Sequence, residues 1–103
     1  MSGRLRVVSG NNQVVRSGEK TAPFVIQALN ADSRPVWGVE VTFFMGVPTP
    51  NGTESSSSYH LSTDSKGMAY IEGFTAFMPG TSYVRVLPMG DFAPAVFKLT
   101  ITK

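Results

Sequence analysis

The sequence predicts an all-β protein built as a two-sheet antiparallel sandwich of about seven strands, and three observations predict it. Apolar residues recur at every second position in short runs, as in Val39-Glu40-Val41-Thr42-Phe43 and Phe97-Lys98-Leu99-Thr100-Ile101, and no stretch carries a helical period. Alternation of this kind makes one face of a strand apolar and the other polar. Turn-forming residues interrupt the runs about every ten residues, the rhythm of a sandwich. Composition agrees: 42% of residues are hydrophobic and only 16% charged, below the roughly 25% charged fraction of an average soluble protein, which favours strands and turns over exposed helices.

A chain of 103 residues can bury one core and not two, so it is expected to be a single domain over 1–103, with Met1 to Gly3 as a start remnant. The absence of cysteine removes disulfides and thiolate metal sites and leaves the compartment open. Met1 to Ser9 carries basic residues followed only by the apolar pair Val7-Val8, too short for a signal-peptide core. No apolar run approaches the ~18 residues that span a bilayer, so no membrane insertion is expected. The formal charge of +2 comes from Arg4, Arg6, Arg16, Lys20, Arg34, Lys66, Arg85, Lys98 and Lys103, scattered along the chain. Without a cluster of cations to displace counterions, no nucleic-acid partner is expected.

The elements follow in order. Leu5 to Val8 is a short first strand broken by Ser9-Gly10-Asn11-Asn12, and Gln13 to Arg16 continues it, as a first strand shared between two sheets would. Phe24 to Leu29 is the next, with Phe24, Ile26 and Ala28 inward. Asn30 to Arg34 is a polar turn, and Pro35 fixes φ ahead of the central strand, whose Val39, Val41, Phe43 and Met45 face the core. That strand stops in a long loop, Gly46 to Thr53, which contains the N-glycosylation pattern Asn51-Gly52-Thr53. Ser55 to Ser62 forms a serine-rich strand with Tyr59 and Leu61 on one face. Thr63 to Gly67 is a tight turn in which Asp64 bonds backbone two residues on and Gly67 takes a positive φ. Met68 to Thr75, Tyr83 to Val86 and Val96 to Thr102 complete the set, with Pro79-Gly80 and Pro88 to Asp91 as turns. The expected core includes Ile26, Val39, Val41, Phe43, Ile71, Val86, Phe97 and Leu99.

Several of these blocks together resemble the bacterial Ig-like repeats of the invasin and intimin type. Leu5 to Gln13 with Gly18 is similar to the family's opening block, and Pro35-Val36 with Gly38-Val39-Glu40-Val41-Thr42-Phe43 to its most specific one. Thr63-Asp64 with Gly67 and Ala69 is similar to its Thr-Asp-x-x-Gly-x-Ala turn, and Phe97 to Thr100 to its closing strand. The sequence departs from the family at Asn30 and Ser33, where Asp and Gly are usual, and in the serine run. The resemblance implies an Ig-like sandwich serving as a non-enzymatic module of a bacterial surface, secreted or secretion-system protein. It implies an extracellular or cell-surface location, a role as adhesin spacer or protein-recognition domain, and no catalytic residue, metal or cofactor.

The residues agree with that implication on chemistry. His60 is the sole histidine and stands between Ser58 and Ser62 with no carboxylate near in sequence, so an exposed strand histidine outweighs a catalytic triad. Asp32 and Asp64 stand nearly alone, which suits turns and not a calcium site. A carbohydrate-binding accessory domain is the alternative, with Trp37, Tyr59, Tyr70 and Tyr83 as stacking faces. The candidate partner-binding residues are Leu29, Trp37 and Phe44. The period-two rule turns Leu29 and Phe44 outward, and Trp37 lies in the turn between their strands, so the three form one exposed apolar patch if those strands flank each other. The partner would then be a neighbouring domain of a larger chain or another protein, with a glycan as the alternative. The competing arrangement has the loop from Gly46 to Glu54 folded over these side chains, or Trp37 plugging one end of the sandwich.

Overall fold

The computed structural model describes residues 3–48 and 54–103. Its strands are β1 (Gly3–Ser9), β2 (Gln13–Arg16), β3 (Phe24–Leu29), β4 (Glu40–Pro48), β5 (Glu54–Ser62), β6 (Met68–Ile71), β7 (Gly80–Pro88), β8 (Phe92–Ala93) and β9 (Ala95–Thr102). They form a four-stranded sheet in the order β6-β3-β1-β8 and a five-stranded sheet in the order β2-β9-β7-β4-β5. Among the described residues there is no helix, hence none long and apolar enough to cross a membrane.

The inner faces are those that alternation predicts. Leu5, Phe24, Ile26 and Ala28 of one sheet face Val41, Phe43, Val84, Val86 and Phe97 of the other, and all are buried. Every one of the eight expected core residues is buried as well. At the centre the Phe24 ring meets Phe97 edge to face, with centroids 5.2 Å apart, and stacks against Phe74 at 5.8 Å.

The first strand is indeed divided between the sheets. A bulge after Val7 and the positive φ of Gly10 and Asn12 turn the chain out of the four-stranded sheet, and β2 then runs parallel to β9. Side chains fix the crossing: the Asn11 Oδ1 accepts the Lys98 N–H at 3.0 Å, and the Gln13 amide donates to the Gly10 carbonyl while accepting the Ala22 N–H.

Elsewhere the boundaries differ from expectation. Residues 36–39 make a turn, so β4 begins only at Glu40, and it runs through Gly46 to Pro48 instead of stopping there. β6 ends at Ile71 because Gly73 lies against the Thr21 carbonyl, closer than any Cβ could approach, and the chain is drawn off into a cap. In that cap Thr21 and Phe74 bond reciprocally, the Thr21 N–H to the Phe74 carbonyl and the Phe74 N–H to the Thr21 hydroxyl. β8, two residues beside β1, was not expected at all. The pattern Asn51-Gly52-Thr53 lies outside the described residues.

One polar atom in the core is unsatisfied. Ser82 is 4% exposed on the inner side of β7, and its hydroxyl has no hydrogen-bond partner among the described residues. Ser82→Ala removes a desolvated hydroxyl without opening space and should stabilise the fold by about 1 kcal/mol. Thermal unfolding of the variant checks this, and a lower melting temperature would contradict it.

Candidate functional site

The sheets place chain entry and exit at opposite ends. Gly3 sits beside Phe92 and near the end of β3, whereas Thr102 accepts from Ser17 at the far end, where residues 17–21 and 72–79 close the sandwich. The entry end carries the molecule's only tryptophan.

Trp37 is 76% exposed, held out on the turn Val36–Val39, whose third residue, Gly38, has φ of 78° as a glycine-requiring turn demands. Thr63, buried beneath, fastens that turn at four points. Its hydroxyl donates to the Val36 carbonyl at 2.7 Å and accepts the Val39 N–H at 2.9 Å. Its backbone accepts the Gly38 N–H and donates to the Val39 carbonyl, both at 3.0 Å. The large aromatic is thus presented by a rigid turn, and the ordering of backbone that binding would otherwise require is already done. The same turn walls an open groove of about 500 Å³ lined by Val36, Glu40, Met89, Gly90 and Phe92.

The next turn supports this one. Asp64 Oδ1 accepts the N–H groups of Met68 and Lys66, and these two bonds, Met68 first, hold its carboxyl below the usual carboxylate range. Gly67 has φ of 74°, and a Cβ there would meet the Ala28 carbonyl at 2.7 Å, so only glycine lets this turn dock on β3. In the preceding turn Asn30 Oδ1 accepts the N–H groups of Asp32 and Arg34, and Ser33 takes φ of 63° where the resembled family has glycine.

The structure does not assemble Leu29, Trp37 and Phe44 into one patch. β3 and β4 belong to opposite sheets, so Leu29 and Phe44 cannot be neighbours. Leu29 is 6% exposed, which corrects the expectation that it faces outward. Alternation does put it opposite Ala28, but it has strand partners on both sides, Arg4 and Pro35, and Arg4 reaches across to the Ser33 hydroxyl. Phe44 does point outward, on the five-stranded sheet. Trp37 does not plug the sandwich, and the centre of the loop expected in the competing arrangement to cover it, residues 49–53, lies outside the described residues.

The four stacking aromatics are likewise dispersed. Tyr70 lies on the outer face of the four-stranded sheet, Tyr59 on the inner side of edge strand β5, and Tyr83 on the outer face of the other sheet, opposite Gly46 and away from the start of β4 at the Trp37 end. His60 bonds Thr42 through Nδ1 at 2.8 Å. No cluster of three metal-ligating side chains occurs among the described residues. Thr63, Met89 and Phe92 were not anticipated as parts of a surface; only the position of Thr63 in the Thr-Asp-x-x-Gly block offered a signal.

No protein-family model matches the chain, and no curated protein does. Solved structures do. The CARDB domain of a Pyrococcus furiosus protein, crystallised in complex with di-metal ions, is 14% identical, with a TM-score of 0.59 over 98% of this chain and 88% of that one. The alkylpurine DNA glycosylase AlkC of Pseudomonas fluorescens, bound to DNA containing an abasic site analog, is 16% identical, with a TM-score of 0.53; the match covers 96% of this chain and only 30% of the glycosylase. At such identities the likeness speaks for architecture alone, and with the two packed sheets it establishes the chain as an Ig-like β-sandwich.

Proposed function

We propose that this chain is a non-enzymatic Ig-like module of a bacterial surface, secreted or secretion-system protein, acting as a spacer or protein-recognition domain that docks through its Trp37 end. The observation that carries the proposal is a tryptophan 76% exposed on a turn clamped by a buried threonine. An exposed tryptophan beside an open groove is the composition of an interface anchor, because it supplies a large contact area with few torsions to freeze. Entry and exit at opposite ends support the spacer role, since modules so built join in line. The blocks shared with invasin-type repeats support the bacterial surface setting.

Trp37→Ala should leave stability within about 0.5 kcal/mol of the parent, as surface changes do, while abolishing docking. In producing cells, Trp37→benzoylphenylalanine should crosslink on irradiation to a surface or secreted protein or to a flanking domain. A destabilisation of several kcal/mol by Trp37→Ala, or crosslinking at Tyr70 but never at 37, would rule the docking out. Protection of the module from protease on intact cells would rule out the surface location.

A further inference from the structure

The outer face of the five-stranded sheet carries a second constellation, separate from the Trp37 end. Register places its side chains. Phe44 lies opposite Arg85, and Tyr83 lies opposite Gly46 on one side and Lys98 on the other, so Phe44 and Tyr83 are diagonal neighbours on adjoining strands. Both rings are half exposed, at 42% and 47%. Gly46 has no side chain to fill the place beside Tyr83, and a depression of about 190 Å³ results, lined by Phe44, Gly46, Thr81, Tyr83 and Arg85. Thr100 and Ser58 flank it on the next strands.

Two cations of this face lie together. Arg85 and Lys98 are diagonal neighbours, and among the described residues no salt bridge or side-chain hydrogen bond engages either. The acid of β4 on this face, Glu40, is four residues from Phe44, roughly 13 Å away at the rise of a strand. Scattered in sequence, the two cations are brought together by the pairing of β7 with β9.

We propose that this face binds an acidic polysaccharide, with one carboxylated sugar residue seated between Phe44 and Tyr83 and its carboxylate on Arg85. Each part of the site answers a part of that ligand. The C–H face of a pyranose packs on aromatic rings, and Tyr83 adds a hydroxyl at its edge. The planar guanidinium pairs with a carboxylate through two parallel hydrogen bonds. Thr81, Thr100 and Ser58 both donate and accept, as sugar hydroxyls require. Lys98 stands one strand over for the next carboxylate of the polymer. Single-stranded nucleic acid also stacks on aromatics, but its binding rests on many phosphate contacts, and two cations are few for that. This inference is independent of docking at Trp37, and either can fail without the other.

The test is titration calorimetry with oligomers of galacturonate, of alginate, of hyaluronan and of a sialylated glycan, beside methyl-esterified galacturonate and oligothymidylate, with backbone amide shifts recorded for mapping. The expected result is saturable binding of at least one acidic oligomer, shifts confined to β4, β7 and β9, and no binding of the ester. Arg85→Gln and Tyr83→Ala should each weaken it by roughly tenfold or more, as loss of a charge-assisted pair or a stacking face does. Tyr70→Ala, on the opposite sheet, should not. All three positions are exposed strand sites, so unchanged melting temperatures confirm folding. Binding of none of the four acidic oligomers, equal binding of the ester, tighter binding of oligothymidylate, or equal loss with Tyr70→Ala would each overturn the proposal.

Discussion

Phe97→Ala should lower the melting temperature by on the order of 20 °C, from a loss of about 3–5 kcal/mol in a domain of this size. Phe97 is wholly buried on β9, and its ring stands edge to face with that of Phe24, which in turn lies against Phe74. Removing it deletes apolar burial from both sheets at once and leaves a cavity that two rigid neighbouring rings cannot fill. Because Phe74 belongs to the cap over the exit end, the loss should spread beyond the substituted strand. Urea unfolding should show a lower midpoint with an unchanged slope, the sign of lost stability in a fold that is otherwise kept. A cost under 1 kcal/mol would mean that the three rings do not form the centre of the core.

Thr63→Val should cost roughly 3 kcal/mol, although the two side chains have nearly the same shape. Thr63 is 2% exposed, and its hydroxyl satisfies both the Val36 carbonyl and the Val39 N–H. Valine leaves those two backbone groups without their partner, and each buried orphan costs about 1–3 kcal/mol. Thr63→Ser keeps the hydroxyl and should recover most of the loss. Hydrogen exchange at Val39 separates this account from a general loosening: the amide should lose protection in Thr63→Val far more than the amides of β9 do. If Thr63→Val matched the parent within about 0.5 kcal/mol, the clamp would have no energetic content.

What the sequence discloses and what it hides divide along the range of the interactions concerned. Alternation is local, and it located the cores of β3, β4, β7 and β9, as in Phe97, Leu99 and Ile101 all turned inward. Turn chemistry is also local, so the Asp64 and Gly67 turn was legible in full. The burial of Leu29 was not, because it arises from strand partners supplied by Arg4 and Pro35, neither of which alternation can report. Alternation turns Phe44 outward but leaves Trp37 open between an exposed turn and a plug, and the separation of Leu29 from Phe44 depends on β3 and β4 lying in opposite sheets. The pairing of Phe44 with Tyr83 and of Arg85 with Lys98 is a property of sheet order. β8 escaped because two residues have no period.

The opposed positions of entry and exit also fix how the module answers a pull. Force applied between the two ends draws β1 toward one end and β9 toward the other. Both strands run from one end of the sandwich toward the other, β1 bonded to β3 and β8, and β9 bonded to β7 and β2. Their hydrogen bonds are therefore strained sideways and together, not peeled apart one after another. A link built this way yields only when a whole ladder gives at once.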